Sequence, residues 1–296
     1  MAPQHPGLAP RVPEGRRLRP RRLALLGATA AGLHYLGFRY FDHSWYEDQT
    51  RLDRIRWVYD WDGDTYLNMD KGGHFMGGLI MAQSLSGALA WSGLGPRAAA
   101  LLGTAASWGA MLEIEMRDSH YAAWGFSVPD FTANTLGATV PLLHALVPAT
   151  QAVTFKFSYH PSDLYLDRES RRLQGRPHTD HIIDDYEGMA YWMALALEEV
   201  LPASLARDWP NFLGLALGYG ATGLHGSNVK SKGPEREHKE WPPARPEVFL
   251  ALDYNARRLP GSGGVWSFVR ERLNWIHFPA PTVRLYPSWR FYLLYL

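Results

Sequence analysis

Residues 72–96 and 131–155 are two 25-residue stretches with no Asp, Glu, Lys or Arg, and residues 98–112 between them are equally free of those four types. A charge-free run of that length accommodates a helix long enough to cross a bilayer. "GLGP" at 93–96 ends one helix and begins the next. The pattern predicts three helices running up, down and up over roughly 71–92, 96–116 and 128–147. Gln83, Ser84, Ser86, Ser107, Asn134 and many Gly and Ala residues make them only moderately apolar. The Gly73-x-x-x-Gly77 spacing suits close helix approach. Membrane spans and buried helices of a protein lying at a membrane both fit.

That topology gathers the ionisable residues at one end. The first helix leaves from "NMDKGGHFMGG", the second arrives at "EIEMRD", and the third starts from "SVPDFTAN". Asp70 and His74 are four apart, Glu115 and Asp118 three, Asp130 and Asn134 four, so each pair shares a helix face. Two readings follow. In one, His74 is a proton carrier, Glu115, Asp118 and Asp130 orient it or bind a divalent metal, Asp70 supports it, and Lys71, Ser127 and Asn134 contribute binding contacts. In the other, the same residues form a closed network that fixes helix packing. Asp70 is then a cap, Ser127 caps the third helix with Asp130 at its third position, and Glu115 and Asp118 pair with Lys71 and Arg117. Buried ionisable groups in a membrane setting favour function. No Gly-x-Ser-x-Gly elbow, phosphate-binding Gly loop with Lys-Ser/Thr, or His-Glu-x-x-His is present.

The series Asp70-Lys71-x-x-His74, Glu115-x-x-Asp118, Gly125-x-Ser127-x-x-Asp130 and Asn134-x-x-Gly137 resembles the YfiM-like family of uncharacterised bacterial envelope proteins, over about residues 66–140. "KFSYHP", "LGYGATG" and "FPAPTVRLYP" are similar to segments of longer Bacteroidetes members, and Asp-Lys-x-x-His with a later Asp-x-x-x-Asn is more weakly similar to VanZ-like membrane proteins. The resemblance implies an envelope location and an architecture, and no reaction. Family members are often described as lipoproteins; this chain has no Cys to acylate.

From about 152 the period changes from helical to two. "VTFKFSY" alternates strictly, and "AYWMALALEE", "NFLGLALGYGATG", "EVFLALDYN" and the terminal "SWRFYLLYL" alternate large apolar residues with small or polar ones. These are five strands, with "IRWVYDW" at 55–61 a sixth. Large apolar against small or polar is the outer-membrane barrel pattern, but the count is below the usual eight. The alternative is a twisted sheet closed by the helices. "VWSFVRERLNWIHF" at 265–278 has helical spacing and suits a membrane surface or a core, and Pro279 and Pro281 end it.

The first 22 residues are a basic tail with Arg16, Arg17, Arg19, Arg21 and Arg22, and the short apolar run that follows reads as an export signal or signal anchor over 23–40. A helical domain over 41–150 and a β region over 151–296 complete the division. The fold class is thus α+β and membrane-associated, about three apolar helices followed by an antiparallel sheet or partial barrel of five to six strands. Twelve Trp and 15 Tyr suit an interface between lipid and water. A net charge of +1 gives no reason to expect nucleic acid. The absence of Cys excludes disulfides, thiolate metal sites and a thiol nucleophile. His178, Asp180, His181 and Asp184 are usable metal ligands in a loop, and 225–243 reads as a flexible loop that could touch lipid phosphates.

The expected protein is a non-catalytic envelope membrane protein, at the outer membrane before the inner, supporting assembly, transport or a larger complex. Its partners are membrane lipid and other envelope proteins, and a divalent metal is possible. The competing expectation is a membrane-associated hydrolase or metal-dependent enzyme acting on a lipid or other envelope substrate.

Overall fold

The computed structural model describes residues 17–47, 49–224 and 243–295. Most of the basic tail and nearly all of the 225–243 loop lie outside the described residues. The chain forms two compact units. The helical unit holds Met1–Val58 and Gly77–Pro148; the sheet unit holds Tyr59–Met76 and Ala149–Leu296.

The helical unit contains α1 (Pro20–Phe41), most of α2 (Met69–Trp91), α3 (Pro96–Asp118) and α4 (Val128–Leu146). Local signals set the ends. Gly93 takes φ +107° after α2, a conformation that favours glycine. Pro96 opens α3, where its missing N–H costs nothing. Ser127 caps α4 by accepting from the Asp130 amide at 3.2 Å.

Along α3, Ala99, Ala100, Gly103, Ser107, Met111 and Glu115 are buried, a stripe of small residues ending in a carboxylate. Ser107 Oγ donates to the Gly78 carbonyl and Thr104 Oγ1 to that of Ala138, both at 2.9 Å. The tight crossing is at Gly78, where a Cβ would lie 2.4 Å from the Asn134 carbonyl oxygen. It is not at Gly77, whose Cβ position is 3.9 Å from Met111.

The expectation of a membrane bundle is not supported. No helix among the described residues is long and apolar enough to cross a membrane. The small and hydroxylated residues that let α2, α3 and α4 approach also dilute their apolar character.

The sheet unit is built on six antiparallel strands in sequence order: β3 (Val153–Tyr159), β4 (Met189–Leu195), β5 (Leu213–Thr222), β6 (Arg245–Tyr254), β7 (Ala280–Tyr286) and β8 (Arg290–Tyr295). Two corrections follow. "IRWVYDW" supplies only β1 (Trp57–Val58), paired in parallel with β2 (Phe126–Ser127) in the helical unit. The sixth strand is β7, which its prolines hid; the register against β8 shifts between Ala280 and Thr282, around Pro281, so the missing N–H is accommodated by a bulge. The β4 segment stops at Leu195, and 197–200 is a helical turn. The amphipathic segment is helical over Gly264–Leu273.

Register aligns the side chains into transverse rows. Phe155, Met193, Leu217, Leu250, Val283 and Phe291 form one row across all six strands. The adjacent row on the opposite face is Thr154, Ala194, Ala216, Ala251, Thr282 and Tyr292. The face that carries these small residues, with Trp192 and Phe249 among them, is the buried one. The sheet curls around it, so that Trp192 on β4 meets Phe249 on β6 and Tyr295 on β8. Gly218 makes room for the Trp192 ring: a Cβ there would lie 2.5 Å from it. Beyond β3, the Phe157 amide donates to the Trp275 carbonyl and the His277 amide to that of Phe157, both at 2.9 Å. The segment before β7 thereby covers the free edge of β3.

Candidate functional site

In the helical unit, Glu115 is buried near the end of α3. Its Oε1 accepts from Asn134 Nδ2 and its Oε2 from the Ser127 amide, each at 3.2 Å. Ser127 in turn holds Asp130 through the cap. Glu115, Ser127, Asp130 and Asn134 are therefore brought together, and all four are buried. The carboxylate ties the end of one helix to the beginning of another with two donors.

Asp118, one turn later, accepts from Tyr46 Oη at 2.5 Å. Burial pushes its carboxyl up to about 6; Asp130 adds to the rise and the Tyr46 hydrogen bond opposes it. The same burial, with Asp118 beside it, drives the Tyr46 hydroxyl well above the usual phenol range. Tyr46 stacks on Tyr121 with centroids 4.5 Å apart. Both rings line a cleft of about 480 Å³ with Asp42, Arg51, Glu113, Arg117 and His120. Tyr46 was missed in the sequence, because it lies 72 residues from its partner and in no motif.

In the sheet unit, the start of α2 is fixed by its approach. Tyr66, Leu67 and Asn68 all take positive φ, at 44°, 54° and 66°. Left-handed backbone at three consecutive non-glycine residues costs of order 1–3 kcal/mol each and persists only where the surroundings impose it. Here Tyr219 Oη donates to the Leu67 carbonyl at 2.5 Å, Tyr66 packs on Tyr186 at 4.6 Å, and Met69 is fully buried with Ala221 and Leu224.

Asp70 lies in the first helical turn, not at the cap. Its Oδ1 accepts from the Lys71 amide at 2.9 Å. Lys71 Nζ donates to Asp70 Oδ2 at 2.7 Å and also to Asp60, a residue that sequence reasoning missed. Arg117 meets Glu113 and Asp42. His74 is half-buried one turn on from Asp70. Four phenols around Asp70, those of Tyr66, Tyr186, Tyr191 and Tyr219, are raised first by burial; the Asp70 charge adds to each, after Asp184 at Tyr66 and after Tyr191 at Tyr186. Chemically, Asp60 and Asp70 converge on an ammonium already in place, and Glu115 on N–H donors.

A third polar group lies on the inner face of the sheet. Lys156 is fully buried and donates to Asp253 Oδ2 at 2.7 Å and to the Tyr254 carbonyl at 2.9 Å. Burial lowers the Lys156 ammonium's proton affinity, and Asp253 opposes that fall. His277 stacks on Trp192 at 3.9 Å, has its Nε2 3.2 Å from the Leu252 carbonyl oxygen, and is pushed down to about 4 by burial. Its Nδ1 and Asp253 Oδ1 are buried with no hydrogen-bond partner. The signal for Lys156 was in the alternation of "VTFKFSY", which fixes its face but not that the face is inside. Of the loop residues, His178 pairs with Asp180 at 3.5 Å and His181 with Asp184 at 3.3 Å.

Both the α2 start and the Glu115 network fall in one recognisable stretch. Residues 59–145 match a family model described as a predicted periplasmic lipoprotein (DUF2279). The match supports an uncharacterised bacterial envelope protein and envelope association. No curated protein and no solved structure matches the chain.

Proposed function

We propose that this chain is a non-catalytic envelope protein that supports assembly, transport or a larger complex, with its polar residues holding the fold. One observation carries the reading. Both oxygens of buried Glu115 accept hydrogen bonds from α4 and its cap, so the carboxylate ties the two helices together. Lys71, held by Asp60 and Asp70, plays the corresponding part in the sheet unit. Membrane lipid and other envelope proteins are the proposed partners, the outer membrane is the proposed location, and the YfiM-like resemblance belongs to the same reading. Metal analysis of the purified full chain tests it. Wild type, Glu115→Gln and His74→Ala are expected to carry no stoichiometric divalent metal and to differ only in stability. One equivalent of metal in wild type, lost in either variant, contradicts it.

A second reading, a membrane-associated hydrolase or metal-dependent enzyme, draws on the cleft beside Tyr46. A carboxyl pushed up to about 6 stands next to it, within the range useful for proton transfer near neutrality.

A further inference from the structure

The sheet carries large apolar side chains on its outer face as well as an apolar core on its inner one, and we propose that the outer face rests on an anionic lipid surface. The inference rests on the envelope reading and deepens it by naming the element that meets the membrane. In water, an antiparallel sheet buries its large apolar face and exposes the polar one. Here the inner face buries Trp192, Phe249 and several alanines beside the paired Lys156 and Asp253, yet Met193, Leu217, Leu250 and Phe291 stand exposed in one register row of the outer face, Leu217 at 47% and Phe291 at 64%. The outer rows through Met193 and Leu195 contain no charged residue, while the neighbouring row through Tyr191 and Tyr219 is covered by the start of α2. A contiguous apolar face of this kind marks an interaction surface.

Charge identifies the occupant. At the end of the strands where β5 finishes and β6 begins, a cleft of about 630 Å³ is lined by Arg171, Arg176 and Arg245, and by Arg284, which is paired with Glu247, against the carboxylates of Asp163 and Glu187. The β7–β8 turn at that end exposes Tyr286 and Trp289 and is followed by Arg290. Aromatic rings beside arginines, at the rim of an uncharged apolar face, complement the phosphates and the acyl boundary of an anionic bilayer. Lipid contact at one leaflet needs no spanning helix and leaves the backbone edge of β8 free to meet water.

The chain contains no Cys, so Leu217→Cys takes a single environment-sensitive label, with exposed Ser204→Cys as the control. The full chain is floated with vesicles of phosphatidylglycerol and phosphatidylethanolamine, and with phosphatidylcholine alone. Expected results are flotation with the anionic vesicles, quenching at 217 but not 204 by nitroxide-bearing lipids, about fivefold weaker binding for Arg245→Gln, and about tenfold weaker binding for Leu217→Asp. Leu217 is exposed, so Leu217→Asp should melt as the wild type does. Flotation without quenching at 217 overturns the sheet-face proposal and leaves the envelope reading intact. Absence of flotation overturns the proposal, and a concentration-dependent blue shift at 217 would then assign the face to a second copy.

Discussion

Two single residues test the helical unit. Asp118 has a folded-state affinity for protons above its unfolded one, with a pKa of about 6. Between pH 4 and 6 the native state therefore binds more protons, so the group's contribution is greatest at low pH and is lost as pH rises through about 6. The loss is about 2–3 kcal/mol. Asp118→Asn keeps an acceptor for Tyr46 Oη and removes the titration. Its stability relative to wild type, measured by chemical denaturation, should rise between pH 4 and 7; a constant difference would show that Asp118 does not titrate there. Gly78→Ala puts a methyl group 2.4 Å from the Asn134 carbonyl oxygen, which is backbone and cannot swing away. It should destabilise by about 1–3 kcal/mol, read from the shift in denaturation midpoint. The sequence carried the glycines but not which one crosses, because helix rotation, not spacing, selects Gly78 over Gly77.

At the scale of elements, the helices were the legible part. Prolines, glycines and the Ser127 cap mark their ends within a few residues, since those signals are local. β3 was equally plain in its alternation. β7 was not, because Pro281 and Pro287 imitate a loop and only the neighbouring strands reveal the bulge. The Lys156–Asp253 pair was invisible for a related reason: it joins β3 to β6, 97 residues apart. Lys156→Met leaves Asp253 buried without its cation and should cost about 3–5 kcal/mol. The double variant Lys156→Met/Asp253→Leu should recover most of that loss in thermal denaturation. Failure to recover would mean the pair does more than neutralise itself. His277 adds an acid limit. Its pKa of about 4 lies below the unfolded value, so its contribution is present above pH 6.5 and lost as pH falls toward 4.

At the scale of the molecule, the chain divides between carboxylates that hold helices and a sheet that keeps its charges inside. The carboxylates of the first set were nameable from the sequence, since motif spacing exposes them; Lys156 and Asp253 of the second were not. The partners Tyr46 and Asp60 were not, because they come from segments with no motif of their own. The central claim is that the buried network exists for the fold. The melting temperature of the full chain carrying Glu115→Gln tests it most directly. Gln can accept through only one atom, so the Asn134 amide or the Ser127 N–H loses its partner. The expected cost is about 1–3 kcal/mol, a fall of roughly 2–12 °C. An unchanged or higher melting temperature would contradict the account, since a carboxylate kept for a ligand is the kind whose removal leaves the fold as stable or more so.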